Sequence, residues 1–389
     1  MQFSRRMDRF GNEIFAALNE KKIALEKEGR KIYNLSVGTP DFRTPQYIID
    51  ALVEAAKDPA NWKYALRDTP EMLDAVVSYY RKRYGIDISP DMVCSCYGSE
   101  EGMGHLPLVL SDEGDVCILP SPCYPVFIAG AQMAGAEPYY YPMTAETGFL
   151  PRVDRIPEEV ARRAKYMIVS LPSNPTGSVA SAGIYEEIIA FAKKYEILIV
   201  HDNAYSDIIF DGAYGGSFLN HEGAAEVGVE FFSLSKSFDL TGARISFLIG
   251  RRDVVAAFRK LRSQIDFGMF LPLQKAAVAA LTGPLEDTVK QQCRDYQERR
   301  DALCQGLRRI GWNVPDSHGS MFVWARIPEG HGTSLQFVEE LMNRAGVICT
   351  PGESFGPLGQ GYVRFALTLP PEEIREALRA IEESGILAR

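Results

Sequence analysis

A lysine that follows an apolar segment is the residue of this chain best suited to covalent chemistry. Lys236 comes after residues 229–234, a β-prone run, and burial at such a position lowers the pKa of an amine until its neutral form attacks carbonyls. Ser233, Ser235 and Arg244 supply hydroxyls and a planar guanidinium that match phosphate oxygens. This spacing indicates a Schiff-base lysine beside a phosphate site, and pyridoxal 5'-phosphate is the ligand that needs both.

An acidic residue ends a second apolar run. Asp202 comes after residues 197–201, and an anionic carboxylate there keeps a pyridine nitrogen protonated, so that the ring withdraws electrons from a carbanion. A helix cap or an arginine partner is the plainer interpretation. Tyr205 and Asn174 carry a hydroxyl and an amide that can bind the phenolic oxygen of the ring, and the amide can also hold a substrate carboxylate. Taken singly, they are more typical of a half-buried tyrosine and a plain turn.

Three residues, Gly98, Ser99 and Glu100, stand between a predicted strand and a predicted helix. Backbone amides at such a helix start can bind phosphate, although a simple serine cap explains the pattern as well. Tyr124 precedes a proline and can stack on an aromatic ring, although most Tyr-Pro pairs are only turns.

A single arginine lies inside an apolar run near the end of the sequence. Arg364, within residues 362–367, needs a partner because a buried charge is costly. Either it forms a structural ion pair or it clamps the α-carboxylate of a substrate in bidentate fashion. Gly38 can let the backbone approach the same carboxylate, or it is an ordinary turn glycine.

The elements that must position these residues alternate along the chain. Short apolar runs alternate with helix-period segments, which predicts an α/β fold with a mostly parallel sheet. In such sheets ligands bind beyond the carboxyl ends of the strands, where the residues above lie. A charged helix is predicted over residues 285–310, followed by a smaller α+β segment. The predicted strands are residues 92–96, 115–119, 138–141, 166–171, 197–200, 230–234 and 245–249.

Composition restricts the kinds of partner. The 389 residues are 46% hydrophobic and carry a net charge of −9 without a dense basic block, so small molecules are expected as partners, not nucleic acid or membranes. The odd, scattered set of seven cysteines predicts reduced thiols, and no Cys/His spacing indicates a metal. The first residues lack a signal-peptide core, which predicts a cytoplasmic protein.

Together and in this order, the motifs resemble the class I/II aminotransferases of the aspartate aminotransferase family, which are fold-type I pyridoxal-phosphate enzymes. The likeness covers nearly the whole chain. It implies a large domain with a seven-stranded sheet between helices and a smaller α+β domain, with residues 1–44 and 286–389 in the small domain and residues 45–285 in the large one. The matching segments are residues 37–41, 98–100, 124, 173–177, 202–205, 233–236, 244 and 364.

The resemblance also implies a role for each residue. Lys236 forms the Schiff base and shuttles the proton, and Asp202 and Tyr205 complete the catalytic set. Gly38, Asn174 and Arg364 bind substrate. Family members are homodimers with shared active sites, and Tyr64 matches the tyrosine that reaches the phosphate of the partner subunit. The implied cofactor-binding residues are Gly98, Ser99, Glu100, Tyr124, Asn174, Asp202, Tyr205, Ser233, Ser235, Lys236, Arg244 and Tyr64.

Within this family the chain is most similar to the LL-diaminopimelate aminotransferase branch. The likeness rests on residues 58–61, 98–106, 149–151, 201–206, 350–352 and 355–357. Two positions depart from that branch, which usually has lysine at Glu100 and tryptophan at Ala243. An acid in place of a base near the substrate mouth bears on any preference for dicarboxylates. Other residues that can read the distal end of the substrate are Phe127, Phe267 and Met269.

The expected activity is therefore transfer of an amino group between an amino acid and a 2-oxo acid. Two alternatives stay open at this point. A pyridoxal-phosphate lyase of the same fold, such as a carbon–sulfur β-lyase, uses the same carbanion to expel a β-substituent. A regulator that keeps the cofactor pocket without turnover is the third class, although no segment long enough for an added DNA-binding domain precedes residue 37.

Overall fold

Seven strands form the central sheet of the molecule, in the order β2-β8-β7-β6-β5-β3-β4, and only β8 runs antiparallel to its neighbours. The computed structural model describes residues 1–10, 14–213, 215–284 and 286–388. The predicted α/β class with a mostly parallel sheet is confirmed. The strands are β1 Tyr33–Asn34, β2 Val93–Cys96, β3 Val116–Ser121, β4 Glu137–Pro142, β5 Ala164–Ser170, β6 Leu198–Asn203, β7 Gly228–Ser233, β8 Ser246–Gly250, β9 Phe322–Arg326, β10 Val347–Ile348, β11 Thr350–Pro351 and β12 Tyr362–Ala366.

All seven predicted strands are present, with ends that differ by at most three residues. They form because β-branched and aromatic side chains are buried on both faces of the sheet. Alternate residues of one strand join different cores: Ile168 and Val200 pack on one face, and Val169 and Ile199 pack on the other. This two-sided burial holds the carboxyl ends of the parallel strands in fixed positions.

Helices cover both faces of the sheet. Helix α3 shows how they are delimited, since the Thr69 side chain accepts a hydrogen bond from the backbone amide of Met72 at its start and Gly85, with φ of 70°, ends it. The helices are α1 Ile14–Lys27, α2 Gln46–Lys57, α3 Pro70–Tyr84, α4 Ser99–His105, α5 Pro107–Leu110, α6 Pro125–Ala134, α7 Glu158–Ala161, α8 Ile184–Tyr195, α9 Ala224–Val227, α10 Leu234–Ser237, α11 Arg252–Ile265, α12 Leu271–Thr282, α13 Glu286–Arg309, α14 Ser334–Ala345 and α15 Pro371–Glu383.

A third core lies around the small antiparallel sheet β11-β12-β9 and helices α13, α14 and α15. Strand β1 pairs in parallel with β10, so the segment after Asn34 runs beside the residues that lead into β12. This pairing brings Ser36 and Gly38 close to Arg364, far away in sequence. The predicted helix over 285–310 is α13, although Leu285 lies outside the described residues. The domain boundaries at residues 44 and 285 stay a prediction. Arg389, the last residue of the predicted small domain, is also outside the described part of the chain.

Three further findings concern the described residues. None of their helices is both long and apolar enough to cross a membrane. No group of three or more His, Cys, Asp or Glu side chains is placed there to hold a metal ion. The seven cysteines are all free thiols.

Candidate active site

A cavity of about 760 Å³ opens at the carboxyl ends of the parallel strands. Its wall contains most of the residues that the sequence singled out, drawn from the central sheet, from the segment after β1 and from β12. This convergence follows from the topology, because parallel strands present their carboxyl ends at one edge. The predicted residues that line the cavity are Gly38, Ser99, Glu100, Tyr124, Asn174, Asp202, Tyr205, Ser233, Ser235, Lys236, Arg244 and Arg364.

Lys236 lies in α10, the short helix that begins where β7 ends. The Ser233 side chain caps this helix by accepting a hydrogen bond from the backbone amide of Ser235, at 3.1 Å. The Lys236 amine donates to the carbonyl oxygen of Gly38, 2.6 Å away. Burial, and then the positive charges of Arg364 and Arg244, lower the pKa of Lys236 to about 8. The neutral form of this amine is therefore far more populated near neutral pH than that of an ordinary lysine.

Asp202 is one of the last residues of β6, because the strand continues to Asn203, beyond the predicted end at residue 200. Burial raises the pKa of Asp202 to about 6, while a hydrogen bond from the Ser170 hydroxyl at 3.3 Å opposes this rise. A cationic partner in the cavity would reverse the effect of burial. Tyr205 is buried nearby, with its ring centroid 5.7 Å from that of Phe322.

One end of the cavity is built to receive an anion. The Ser99 hydroxyl is buried and has no hydrogen-bond partner among the described residues. A Cβ atom at Gly98 would lie 2.3 Å from the guanidinium of Arg244, so only glycine lets that group reach its position. Arg244 has a left-handed backbone (φ 55°) and donates to the carbonyl of Thr241 at 3.1 Å. An unpartnered hydroxyl and a guanidinium beside bare backbone match phosphate oxygens.

Tyr124 and Glu100 form the outer wall. The Tyr124 hydroxyl donates to the Glu100 carboxylate at 3.2 Å, and the other carboxylate oxygen is 3.9 Å from the Arg244 guanidinium. Burial, and then the negative charge of Glu100, raise the pKa of Tyr124. Tyr124 therefore stays a neutral ring with a fixed orientation.

Arg364 lies in β12 at the opposite end of the cavity. It is buried, and its hydrogen bonds go to uncharged groups: the Asn174 amide oxygen at 2.9 Å, the Ser36 carbonyl at 2.7 Å and the Thr350 hydroxyl at 3.3 Å. Its Nε has no partner in the described part of the chain. Burial lowers the pKa of Arg364 to about 10, and no carboxylate counteracts this.

The structural ion pair considered for Arg364 is therefore not found among the described residues. The guanidinium instead stacks over Phe322, 4.1 Å from the ring centroid. A Cβ atom at Gly38 would lie 2.5 Å from the same ring, so the backbone there passes close to Phe322. A buried cation without an anion is the arrangement expected of a carboxylate-binding site.

Comparison with known proteins agrees with this geometry. The model of the family "Aminotransferase class I and II" matches residues 30–381. The LL-diaminopimelate aminotransferase of Moorella thermoacetica is 43% identical over 387 residues, 98% of each chain. That of Halothermothrix orenii is 40% identical over 375 residues, 96% of each chain.

The chain belongs to the class I and II aminotransferases.

Two solved structures are similar in fold to this family member. BacF of Bacillus subtilis, solved with substrate bound, is 35% identical and has a TM-score of 0.94, with 98% of each chain covered. An aspartate aminotransferase double mutant of Thermus thermophilus is 26% identical and has a TM-score of 0.93, with 99% of this chain and 100% of that one covered.

The predicted protein family, cofactor and class of reaction are thus confirmed. Like other members of the family, the chain is a pyridoxal-phosphate-dependent transaminase that takes an amino acid and a 2-oxo acid. The cavity fits this cofactor, since one end offers phosphate donors and the acid Asp202 and the amine Lys236 also line it.

Sequence inspection missed several residues that shape the site. Phe322 forms the floor beneath Arg364 and Gly38, but in the sequence it is one more aromatic residue of an apolar strand. Ser170 supports Asp202 from the neighbouring strand, and Thr350 supports Arg364. A parallel-strand register would have been needed to find Ser170, which is paired with Asp202 in the sheet.

Some predicted residues lie outside this cavity. Gly98 does not line the cavity, but it lies next to the Arg244 side chain, which does. Tyr64 is 82% exposed, and its ring lies 5.3 Å from that of Phe267. Of the candidates for the distal end of the substrate, Glu100 and Phe127 line the cavity. Met269 is fully buried in the core, and Phe267 lies with Tyr64 on the surface.

Proposed function

We propose that this transaminase acts on LL-diaminopimelate or a closely similar amino acid and passes the amino group to a 2-oxo acid. The observation that carries the proposal is one cavity lined by the amine of Lys236 and by the buried guanidinium of Arg364, which has no carboxylate partner among the described residues. Every α-amino acid has a carboxylate that can satisfy such a cation. Full-length relatives named for LL-diaminopimelate support the choice of substrate.

The proposed roles divide the cavity into two ends. Arg364 binds the α-carboxylate of the substrate, Asn174 fixes the guanidinium through its amide oxygen, and the backbone at Gly38 closes this end. Tyr124 would stack on the ring of the cofactor, Asp202 would keep its pyridine nitrogen protonated, and Tyr205 and Asn174 would hydrogen-bond its phenolic oxygen. The phosphate end consists of Gly98, Ser99, the backbone of Glu100, Ser233, Ser235 and Arg244.

Pyridoxal phosphate, when bound, supplies a ring that withdraws the negative charge left at the α-carbon of the substrate. Lys236 takes the α-proton on its amine and later returns a proton, so it acts first as a base and then as an acid. Its pKa of about 8 suits both steps, because neither the neutral nor the charged form is scarce near neutral pH. Buried groups around it limit the access of water and so disfavour side reactions.

The proposed assembly is a homodimer. Aromatic and aliphatic side chains are exposed together at one place on the surface, which we call the aromatic patch: Trp62, Tyr64, Leu66, Ile265 and Phe267. The two segments that form this patch lie side by side, since Ala65 and Gly268 form a β-bridge and the ring of Trp62 lies 5.2 Å from that of Phe270. Contiguous exposed apolar groups mark interaction surfaces. In this assembly Tyr64 reaches the phosphate end of the partner subunit's site. A cytoplasmic location and the division at residues 44 and 285 are proposed with it.

Absorbance of the holoenzyme tests this function. Addition of LL-diaminopimelate or alanine should change the spectrum of the bound cofactor, and a 2-oxo acid should then restore it. If pyruvate and ammonia were released from a sulfur amino acid and the spectrum returned without any 2-oxo acid, the protein would be a lyase. No change with any amino acid would leave the proposal without support.

A further inference from the structure

One charged side chain of the cavity has no task in the proposed function. Among the described residues, five charged side chains line the wall: Glu100, Asp202, Lys236, Arg244 and Arg364. Four of them act on the cofactor ring, the phosphate, the α-proton or the α-carboxylate. The phosphate involves only the backbone of Glu100, so its carboxylate is left over.

This carboxylate is unfavourable for cofactor binding. It lies 3.9 Å from the Arg244 guanidinium, where its charge reduces the positive potential that attracts a phosphate. Its hydrogen bond from the Tyr124 hydroxyl needs only an acceptor and not a charge. The negative charge at this position therefore calls for another explanation.

Its location is the open side of the cavity. The Glu100 side chain is 56% exposed, whereas Arg364 is buried at the inner end. Lys236 lies within the field of both groups, since Glu100 raises its pKa and Arg364 lowers it. An amino acid held by its α-carboxylate at Arg364, with its α-carbon at Lys236, would have the open side left for its side chain, because Arg364 lies at the buried end.

We propose that Glu100 is a specificity-determining residue that binds a positively charged distal group of the substrate and disfavours amino acids with an acidic side chain. The inference rests on the proposed function and names its substrate class. LL-diaminopimelate has both an ammonium and a carboxylate at its distal centre; Glu100 would bind the ammonium, and the distal carboxylate would point away from Glu100. Glutamate has a distal carboxylate, which Glu100 repels, so a neutral amino acid such as alanine is the expected second substrate of the wild-type enzyme.

Half-reactions of the holoenzyme with a length-matched series test this proposal. L-Lysine, L-norleucine and L-2-aminoadipate have the same chain length and differ in the distal charge. Cofactor absorbance in a stopped-flow instrument gives kcat/KM for each. We expect wild-type enzyme to prefer lysine over 2-aminoadipate by about tenfold or more in kcat/KM, because the interaction with a nearby charge that solvent only partly screens is of this size. Glu100→Gln should reduce this ratio about tenfold, and Glu100→Lys should invert it.

The variants separate this role from the alternatives. Glu100→Gln keeps an acceptor for Tyr124 and removes only the charge, so an unchanged lysine to 2-aminoadipate ratio would overturn the proposal. Glu101→Gln is the matched control, because the Glu101 carboxylate contacts the Tyr97 amide and His105 and does not line the cavity. Its ratio should equal that of wild-type enzyme. If Glu101→Gln lowered the lysine to 2-aminoadipate ratio as much as Glu100→Gln, the effect would come from the net charge of the protein, and the proposal would be overturned.

Cofactor affinity provides the second readout. If Glu100 acted only on Arg244, Glu100→Gln would tighten pyridoxal phosphate in equilibrium dialysis and leave the substrate ratio unchanged, which also overturns the proposal. Failure of the proposed function has a different signature: neither LL-diaminopimelate nor any member of the series would alter the cofactor spectrum. That result would overturn both the proposed function and the role of Glu100. Turnover of the series without a preference for the distal charge would overturn only the role of Glu100.

Discussion

The amine of Lys236 donates a hydrogen bond to the carbonyl oxygen of Gly38, 2.6 Å away. The two residues are 198 positions apart: Lys236 lies in α10, which follows β7 of the central sheet, and Gly38 lies in the segment after β1. Gly38 is itself fixed against the ring of Phe322, where no side chain would fit. The proposed base is therefore hydrogen-bonded to the backbone at the proposed α-carboxylate end of the cavity. We expect that binding of a substrate carboxylate at this end affects the position of the Lys236 amine.

Replacement of Lys236 by alanine should abolish the covalent attachment of the cofactor and slow the amino-acid half-reaction about a thousandfold, the size of a lost general base. Borohydride reduction followed by peptide mass mapping checks the attachment, and single-turnover absorbance checks the rate. Lys57→Ala is the control, since this lysine pairs with Glu54 on the surface. Retention of the wild-type rate in Lys236→Ala would remove Lys236 from the mechanism.

Arg364→Met should raise the KM for amino acids about a hundredfold, because two charge-assisted hydrogen bonds to the α-carboxylate are lost. Arg364→Lys should not restore it, since an ammonium lacks the planar fork. The apoprotein of Arg364→Met should be at least as stable as wild type in urea, because an uncompensated buried charge is removed. An unchanged KM would contradict the assigned role, and strong destabilisation would indicate a structural one.

The pH dependence of cofactor capture follows from Lys236. Its pKa in the folded protein is lowered from the ordinary value of 10.5 to about 8, so the neutral amine accumulates as the pH rises through about 8. The rate at which apoprotein takes up pyridoxal phosphate should rise between about pH 7 and pH 9 and then level off. Stopped-flow absorbance measures it. A rate that continues to rise toward pH 10.5 would show that the amine is not desolvated.

Gly98→Ala should weaken phosphate binding. The new Cβ atom would lie 2.3 Å from the Arg244 guanidinium, which must move. We expect the Kd for pyridoxal phosphate, from equilibrium dialysis, to rise about tenfold through loss of one charge-assisted contact. Gly114→Ala is a matched control, since Gly114 has nearly the same φ, 88° against 87°, and a Cβ atom there meets nothing within 4 Å. If both variants weaken binding equally, backbone strain and not Arg244 is responsible.

Leu66→Asp should convert the proposed dimer to monomer, because a charge would have to be desolvated within the aromatic patch. Sedimentation velocity gives the mass of the species. Ile23→Asp introduces the same charge at an exposed aliphatic residue of α1 and should stay dimeric. A monomeric wild-type protein would contradict the assembly, and with it the role of Tyr64 in the partner's site.

The position of Lys236 in the cavity, the central sheet and the outline of the cavity were predictable because local signals encode them. Apolar runs ending in Ser, Asp or Gly mark strand ends, and parallel strands collect those ends at one edge. The environment of Arg364 was not predictable, since an arginine in an apolar strand is equally compatible with an ion pair or with an open anion site. Phe322 gave no signal at all. Its contact with Gly38 depends on the pairing of β1 with β10, which no local pattern encodes.

The hydrogen bond between Arg364 and the carbonyl of Ser36 joins residues that are 328 positions apart in the sequence. Ser36 is therefore synthesised long before its partner. A nascent chain that has reached residue 250 already contains the seven strands of the central sheet, the phosphate donors, Asp202 and Lys236. Ser36 is also present, but its guanidinium partner is not yet made. Translation thus produces the residues proposed to hold the vitamin-derived cofactor before it produces the guanidinium proposed to hold the amino acid.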